Sequence, residues 1–149
     1  MIYYLRNAIV DVRFMIYDFL NKKIKQMEMK EIMLKRTKKF AIDCWVLCSK
    51  LPKTREYNAY VNQLIRCSSS VGANYRASQR AKSTADFINK LKIVEEEADE
   101  SHYFLELLLD ISTLENLNIK TKIIPLVKEA NEITAIIVAS LKTTRINKS

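Results

Sequence analysis

Residues 87–108, FINKLKIVEEEADESHYFLELL, decide the fold. Phe87, Leu91, Val94, Ala98, Ser101, Leu105 and Leu108 recur at spacings of 4-3-4-3-4-3, the period of a helix seam packed against other helices in a bundle. A second three-four stripe runs beside it through Ile93, Glu97, Glu100, Phe104, Leu107 and Ile111. Two carboxylates on an otherwise apolar stripe need partners if they are buried, and Arg66 and Arg76 on the preceding helix are the expected ones. Glu95, Glu96 and Asp99 read as a solvated acidic face, in a stretch with no Lys or Arg from Ile93 to Ile119. The helix begins at KSTADF, where Ser83 or Thr84 serves as N-cap and Asp86 favours the positive end of the helix dipole.

Upstream lies SSSVGANYRASQRAKS, residues 68–83, which holds the only glycine of the chain, Gly72. Glycine costs about 1 kcal/mol against alanine inside a helix. Yet Val61, Leu64, Ser68, Val71, Tyr75 and Ser78 or Gln79 continue a helical stripe through it, predicting a helix over about residues 58–82. Gly72, flanked by Ser68, Ser69, Ser70 and Ala73, therefore marks a strip of low bulk where a neighbouring helix approaches closely, with Asn74 and Arg76 following as polar groups.

Further stripes complete the set. Phe40, Ala41, Cys44, Trp45, Cys48 and Leu51 form one, closed by Pro52, and Ile123, Val127, Ala130, Thr134, Ile137 and Leu141 form the last. At the start, Ile2, Leu5, Ile9, Val12, Ile16 and Phe19 give an apolar helix. Residues 21–39 follow it as a basic helix or a solvated linker, and Met27, Met29 and Met33 leave an internal start open. One Gly and two Pro in 149 residues are too few for the turns of a β-protein. The expected fold is all-α: an up-down four-helix bundle over residues 33–144. An extra N-terminal helix or extension, residues 1–32, precedes it, and a disordered tail, residues 145–149, follows.

Composition and motif searches narrow the function. Hydrophobic residues make up 48%, enough for a core, and the net charge is +8 with a pI near 9.4, which attracts anionic partners such as RNA or DNA. No uncharged apolar run reaches membrane-spanning length and no signal peptide is recognisable, so no membrane partner is expected. Cys44, Cys48 and Cys67, odd in number, read as reduced core thiols of a cytoplasmic protein. A zinc site from these thiols and His102 lacks the second C-x₂₋₄-C pair. A di-iron bundle needs two Glu-x-x-His motifs, and there is a single histidine, preceded by Asp99. Nucleophile sets and phosphate-cradling glycine loops are absent as well. No enzyme activity, metal or cofactor is expected.

The blocks QLIRCSSSVGANYRAS and DFINKLKIVEEEADESHYFLELL resemble the four helix bundle protein family, also called 23S rRNA-intervening sequence proteins. The shared residues are Ser70, Gly72, Ala73, Asn74 and Arg76, then Asp86, Phe87, Lys90, Leu91, Glu97, Ala98, Glu100, Tyr103 and Leu105. Tyr75, Ala77 and Phe104 depart from the usual Ile, Glu and Trp. The resemblance implies a homopentameric ring without established enzymatic activity. A more distant likeness, to the accessory protein of diversity-generating retroelements, implies nucleic-acid binding and a protein partner such as a reverse transcriptase. The candidate nucleic-acid contacts are Arg66, Arg76, Arg80, Lys82, Lys90 and Lys92, around the second inter-helix turn. An oligomeric scaffold for a protein partner is the alternative.

Overall fold

The structure is a computed structural model that describes the backbone of residues 2–146 and the side chains of residues 13–146. Four helices follow in order: α1 (Ile2–Cys48), α2 (Arg55–Ser78), α3 (Thr84–Leu114) and α4 (Lys120–Ile146). The chain divides into two compact units, residues 1–33 and 34–149. The first is the leading part of α1. There Phe14, Met15, Ile16, Tyr17, Phe19 and Leu20 are exposed, Asp18 pairs with Lys22 at 3.2 Å, and the Lys23 ammonium stands over the Phe19 ring. Of the two readings of residues 21–39, a basic helix or a solvated linker, the structure shows the helix, continuous with the apolar helix before it. Residues 21–39 contain neither Gly nor Pro and are rich in Lys, Met, Glu and Gln, strong helix formers that let one helix run through.

In the second unit, the remainder of α1 lies against both α2 and α4, and α3 packs on both α2 and α4. The buried seam of α1 is Phe40, Cys44, Leu47 and Cys48, followed by Leu51. Leu47 takes the place expected for Trp45, which is 60% exposed. The 40-44-47-51 spacing keeps to the inner face, whereas Trp45 is rotated away from it. The helix ends at Cys48, four residues before Pro52, where the ring would collide with its carbonyl.

Helix α2 starts earlier than expected because Thr54 caps it, its hydroxyl accepting from the Tyr57 N–H at 3.3 Å. It buries Tyr57, Val61, Leu64, Cys67, Ser68, Val71, Tyr75 and Ser78. It stops at Ser78, after which the Arg80 and Ala81 N–H groups turn back to the Ala77 and Ser78 carbonyls. On α3 the seam is Leu91, Val94, Ala98, Ser101, Leu105, Leu108 and Ser112, with Phe87 half-buried at its start. In α4 the buried positions are Ile123, Leu126, Ala130, Ile133, Ile137 and Leu141. Val127 and Thr134, expected inside, are half-buried, because Leu126 and Ile133 lie nearer the axis of the 3-4 stripe. Arg145 and Ile146 of the expected tail, residues 145–149, continue α4, while residues 147–149 lie outside the described residues.

A chain with one glycine turns from α3 to α4 on an asparagine. Asn116 adopts φ 55°, the left-handed region. The Leu117 N–H donates to the Ser112 carbonyl at 2.8 Å and the Asn116 N–H to Thr113 at 3.2 Å, the paired bonds of a Schellman cap. Gly72 has no positive φ, so backbone conformation does not require it, and what the position needs is low bulk. A Cβ there would stand 3.4 Å from the Thr37 carbonyl oxygen and 3.7 Å from the Lys38 nitrogen. The backbone of α1 therefore rests on α2 at this point.

Urea unfolding of variants at these two residues tests both roles. Gly72→Ala fits in ordinary contact and should hold or gain up to about 1 kcal/mol through helix propensity. Gly72→Leu should lose roughly 1–3 kcal/mol by overpacking, and an unchanged midpoint would contradict the close approach. Asn116→Gly should retain stability, whereas Asn116→Val, β-branched in a left-handed position, should lose about 1–2 kcal/mol or more.

Candidate nucleic-acid interface

The six cations expected around the α2–α3 turn do not act as one set. Arg66 reaches across to α3, where its guanidinium pairs with Glu97 at 3.4 Å and with Glu100. Those carboxylates hold its proton more tightly than usual, Glu100 most of all. Lys90 binds Asp86 one turn back on its own helix. The Asp86 carboxylate also accepts from the Lys82 N–H at 2.9 Å, while the Ser83 hydroxyl accepts from the Asp86 N–H at 3.1 Å. Lys90, then the Lys82 N–H, pull the Asp86 carboxyl below its ordinary range. The stability from this cap is therefore present at neutral pH and is lost as pH falls through that lowered value. Arg76, Arg80, Lys82 and Lys92 are exposed. Among the described residues, Arg76, Arg80 and Lys92 form no ion pair.

Of the two arginines expected to meet Glu97 and Glu100, only Arg66 does. Arg76 lies ten residues further along a helix antiparallel to α3, about 15 Å beyond those carboxylates at 1.5 Å per residue. The register excludes it. The other family-motif side chains serve local structure. The Asn74 amide donates to the Ser70 carbonyl at 3.0 Å and hydroxyl at 2.9 Å. Tyr103, 58% exposed, meets Phe104 edge-on with ring centroids 5.4 Å apart, and Phe104 lies 6.5 Å from Tyr60.

Some interactions have no counterpart among the expected residues. Arg36 clasps α4: its Nη2 donates to Glu129 at 2.8 Å and also to Glu132, while its Nε donates to the other Glu129 oxygen. The signal in the sequence was the pair of glutamates three apart on the last helix. Tyr57 donates to Glu115 at 2.7 Å, and burial, with that carboxylate, pushes its hydroxyl up to about 12. This pair borders a cleft with Pro52, Tyr60 and Ile111.

The thiols are poor candidates for chemistry. Cys44, Cys48 and Cys67 are buried and free. Burial raises all three, Cys48 to about 11, and contacts with Ser68 and Ser101 only partly offset the rise at Cys44 and Cys67. His102 faces Glu106 one turn on. Among the described residues no three His, Cys, Asp or Glu side chains gather as metal ligands, and no helix is long and apolar enough to cross a membrane.

The helix register predicts a contrast between the two arginines. Arg66→Met should lower the melting temperature by stranding Glu97, whose side chain is only 17% exposed. Arg76→Met should leave it unchanged. Equal melting of the two variants would contradict the assignment.

Comparison with known proteins places this geometry. Residues 29–139 match the 23S rRNA-intervening sequence protein family. A solved structure similar to this chain is a protein of unknown function from the S23 ribosomal protein family of Bacteroides thetaiotaomicron VPI-5482, determined at 1.70 Å. It is 28% identical, with a TM-score of 0.67 over 76% of this chain and 97% of that one. No curated protein matches the chain.

Proposed function

The chain belongs to the 23S rRNA-intervening sequence protein family, and on that premise we propose that it is a non-catalytic bundle that assembles into a homopentameric ring and binds nucleic acid. The observation that carries the proposal is the group of exposed cations, Arg76, Arg80 and Lys92, that have no carboxylate partner among the described residues, on a chain of net charge +8. Phosphates supply the negative charge these side chains lack. Arg66 and Lys90 drop out of the binding set, since their charges are already used between and along helices. Buried free thiols suit a reducing cytoplasm.

A second reading has its own observation. Tyr103 stands exposed on α3 among Glu96, Asp99, Glu106 and Asp110, which are exposed too. An aromatic in an acidic surface suits a basic protein partner, a reverse transcriptase for example, and makes the ring a scaffold.

Light scattering should give five times the 17.4 kDa chain mass, and a monomer would contradict the ring. Affinity for RNA should fall steeply between about 50 and 200 mM salt. Replacing Arg76, Arg80 or Lys92 with Gln should reduce the slope of log K against log salt by ~1 for each phosphate that is no longer neutralised. Flat or undetectable binding at low salt favours the scaffold.

A further inference from the structure

Charge in the bundle is divided between its halves. Residues 34–83, which hold α2 and the α1 segment packed on it, carry eleven Lys/Arg against two acids, Asp43 and Glu56. Residues 84–149 carry eight Lys/Arg against eleven acids. The first half also contributes the Trp side chain of the chain, and it is on the surface: Trp45 is 60% and Ile42 is 51% exposed. Lys38, Ile42 and Trp45 follow the three-four spacing of one outward helix face, with Lys35 one turn before Lys38. All four are exposed.

Gly72 places α2 directly alongside, since its nearest neighbours are Thr37 and Lys38 of α1. On α2, Ser69, Ala73, Arg76 and Arg80 are exposed around that point. Because Thr37 meets Gly72 and Cys44 meets Ser68, α1 and α2 run antiparallel, and Trp45 lies on the opposite side of the Gly72 contact from Arg76, roughly 15 Å along the face. Among the described residues Lys35, Lys38, Arg76 and Arg80 pair with no carboxylate. The nearby Asp43 is already bound by Lys39, and Glu56 lies at the far end of α2.

A basic face tracking a phosphate backbone, joined to an aromatic ring that any base can stack on, is how single strands are bound without sequence preference. A duplex keeps its bases stacked inside and offers Trp45 only phosphate and sugar. We propose that the α1–α2 face binds single-stranded nucleic acid, with Trp45 stacking on a base and Lys38, Lys35, Arg76 and Arg80 contacting phosphates successively further along the strand. This rests on the nucleic-acid reading above and specifies the face, the strandedness and a stacking residue that the α2–α3 turn does not contain.

Because the chain has a single Trp, its emission reports this face directly. The full chain is titrated at low salt with a 20-nucleotide oligo-U, the same length of abasic oligonucleotide, and a 20-base-pair duplex. Oligo-U should quench the Trp emission and bind more tightly than the other two. Trp45→Ala should weaken oligo-U binding about 5- to 100-fold, the range for removal of one base stack. Trp45→Phe should restore most of it, while binding of the abasic strand stays unchanged in both. Oligo-U binding with unaltered emission, or equal affinity of wild type and Trp45→Ala, overturns the site but leaves nucleic-acid binding elsewhere intact. Absence of binding to all three ligands overturns the nucleic-acid reading itself. Protection of Trp45 from acrylamide quenching in the free assembled protein shows another copy on this face, and also overturns the site.

Discussion

The bundle depends on how closely α1 approaches α2. Low bulk at position 72 lets the backbone of α1 lie against α2, with the Thr37 carbonyl 3.4 Å from where a Cβ would be, and such small-residue contacts set the short end of helix–helix distances. Once α1 rests there, its next-door residue Arg36 is turned toward the other neighbour, α4, where Glu129 and Glu132 receive it. One steric contact and one charged clasp thus hold α1 between two helices. The register they impose carries through to α2 and α3, where Arg66 finds Glu97 and Glu100 and Arg76 cannot.

The same economy of bulk governs the core. Ser68, Ser78, Ser101 and Ser112 are at most 2% exposed. A buried hydroxyl without a partner costs stability, but each of these donates to a carbonyl three or four residues back, at 3.4, 2.7, 2.7 and 2.9 Å. Each helix therefore satisfies its own serines, and Ser68 and Ser101 in addition meet the thiols of Cys44 and Cys67 on the neighbouring helices. Ala98, Ala130, Cys44 and Cys67 fill comparable small positions. Large side chains such as Phe40, Leu64 and Leu105 then occupy the space between these layers, as dense interiors require.

Helix number and the inner faces of α2 and α3 were legible because apolar periodicity survives for many turns there, and the Ser83 cap was legible because its chemistry is local. The inner faces of α1 and α4 were read partly wrong. Around Trp45 and Leu47, and around Leu126 and Val127, apolar residues crowd within one or two positions of each other, and periodicity alone does not say which one points inward. The α2 boundary lies earlier than expected because the Thr54 cap precedes the apolar stripe that begins at Val61, where periodicity carries no signal. Among the candidate nucleic-acid residues, ion pairing to α3 separated Arg66 from Arg76, a distinction that depends on inter-helix register and is invisible in one sequence. Arg36 was missed for the same reason: its partners lie 93 and 96 residues away.

The placement of charge links stability to surface. Among the described residues, every inter-helix arginine–carboxylate pair joins the basic half to the acidic half: Arg36 of α1 to α4, and Arg66 of α2 to α3. Tyr57 and Glu115 bridge α2 and α3 in the same sense. The two mixed seams add charge pairs to their apolar packing, while the α1–α2 seam, rich in like charges, relies on apolar packing and the close approach at Gly72. Within residues 34–83 only Asp43 and Glu56 are acidic, and Asp43 is bound by Lys39, so the outer side of this part of α1 and of α2 carries few free carboxylates. A polyanion meets least repulsion on that side, which is also where Trp45 stands.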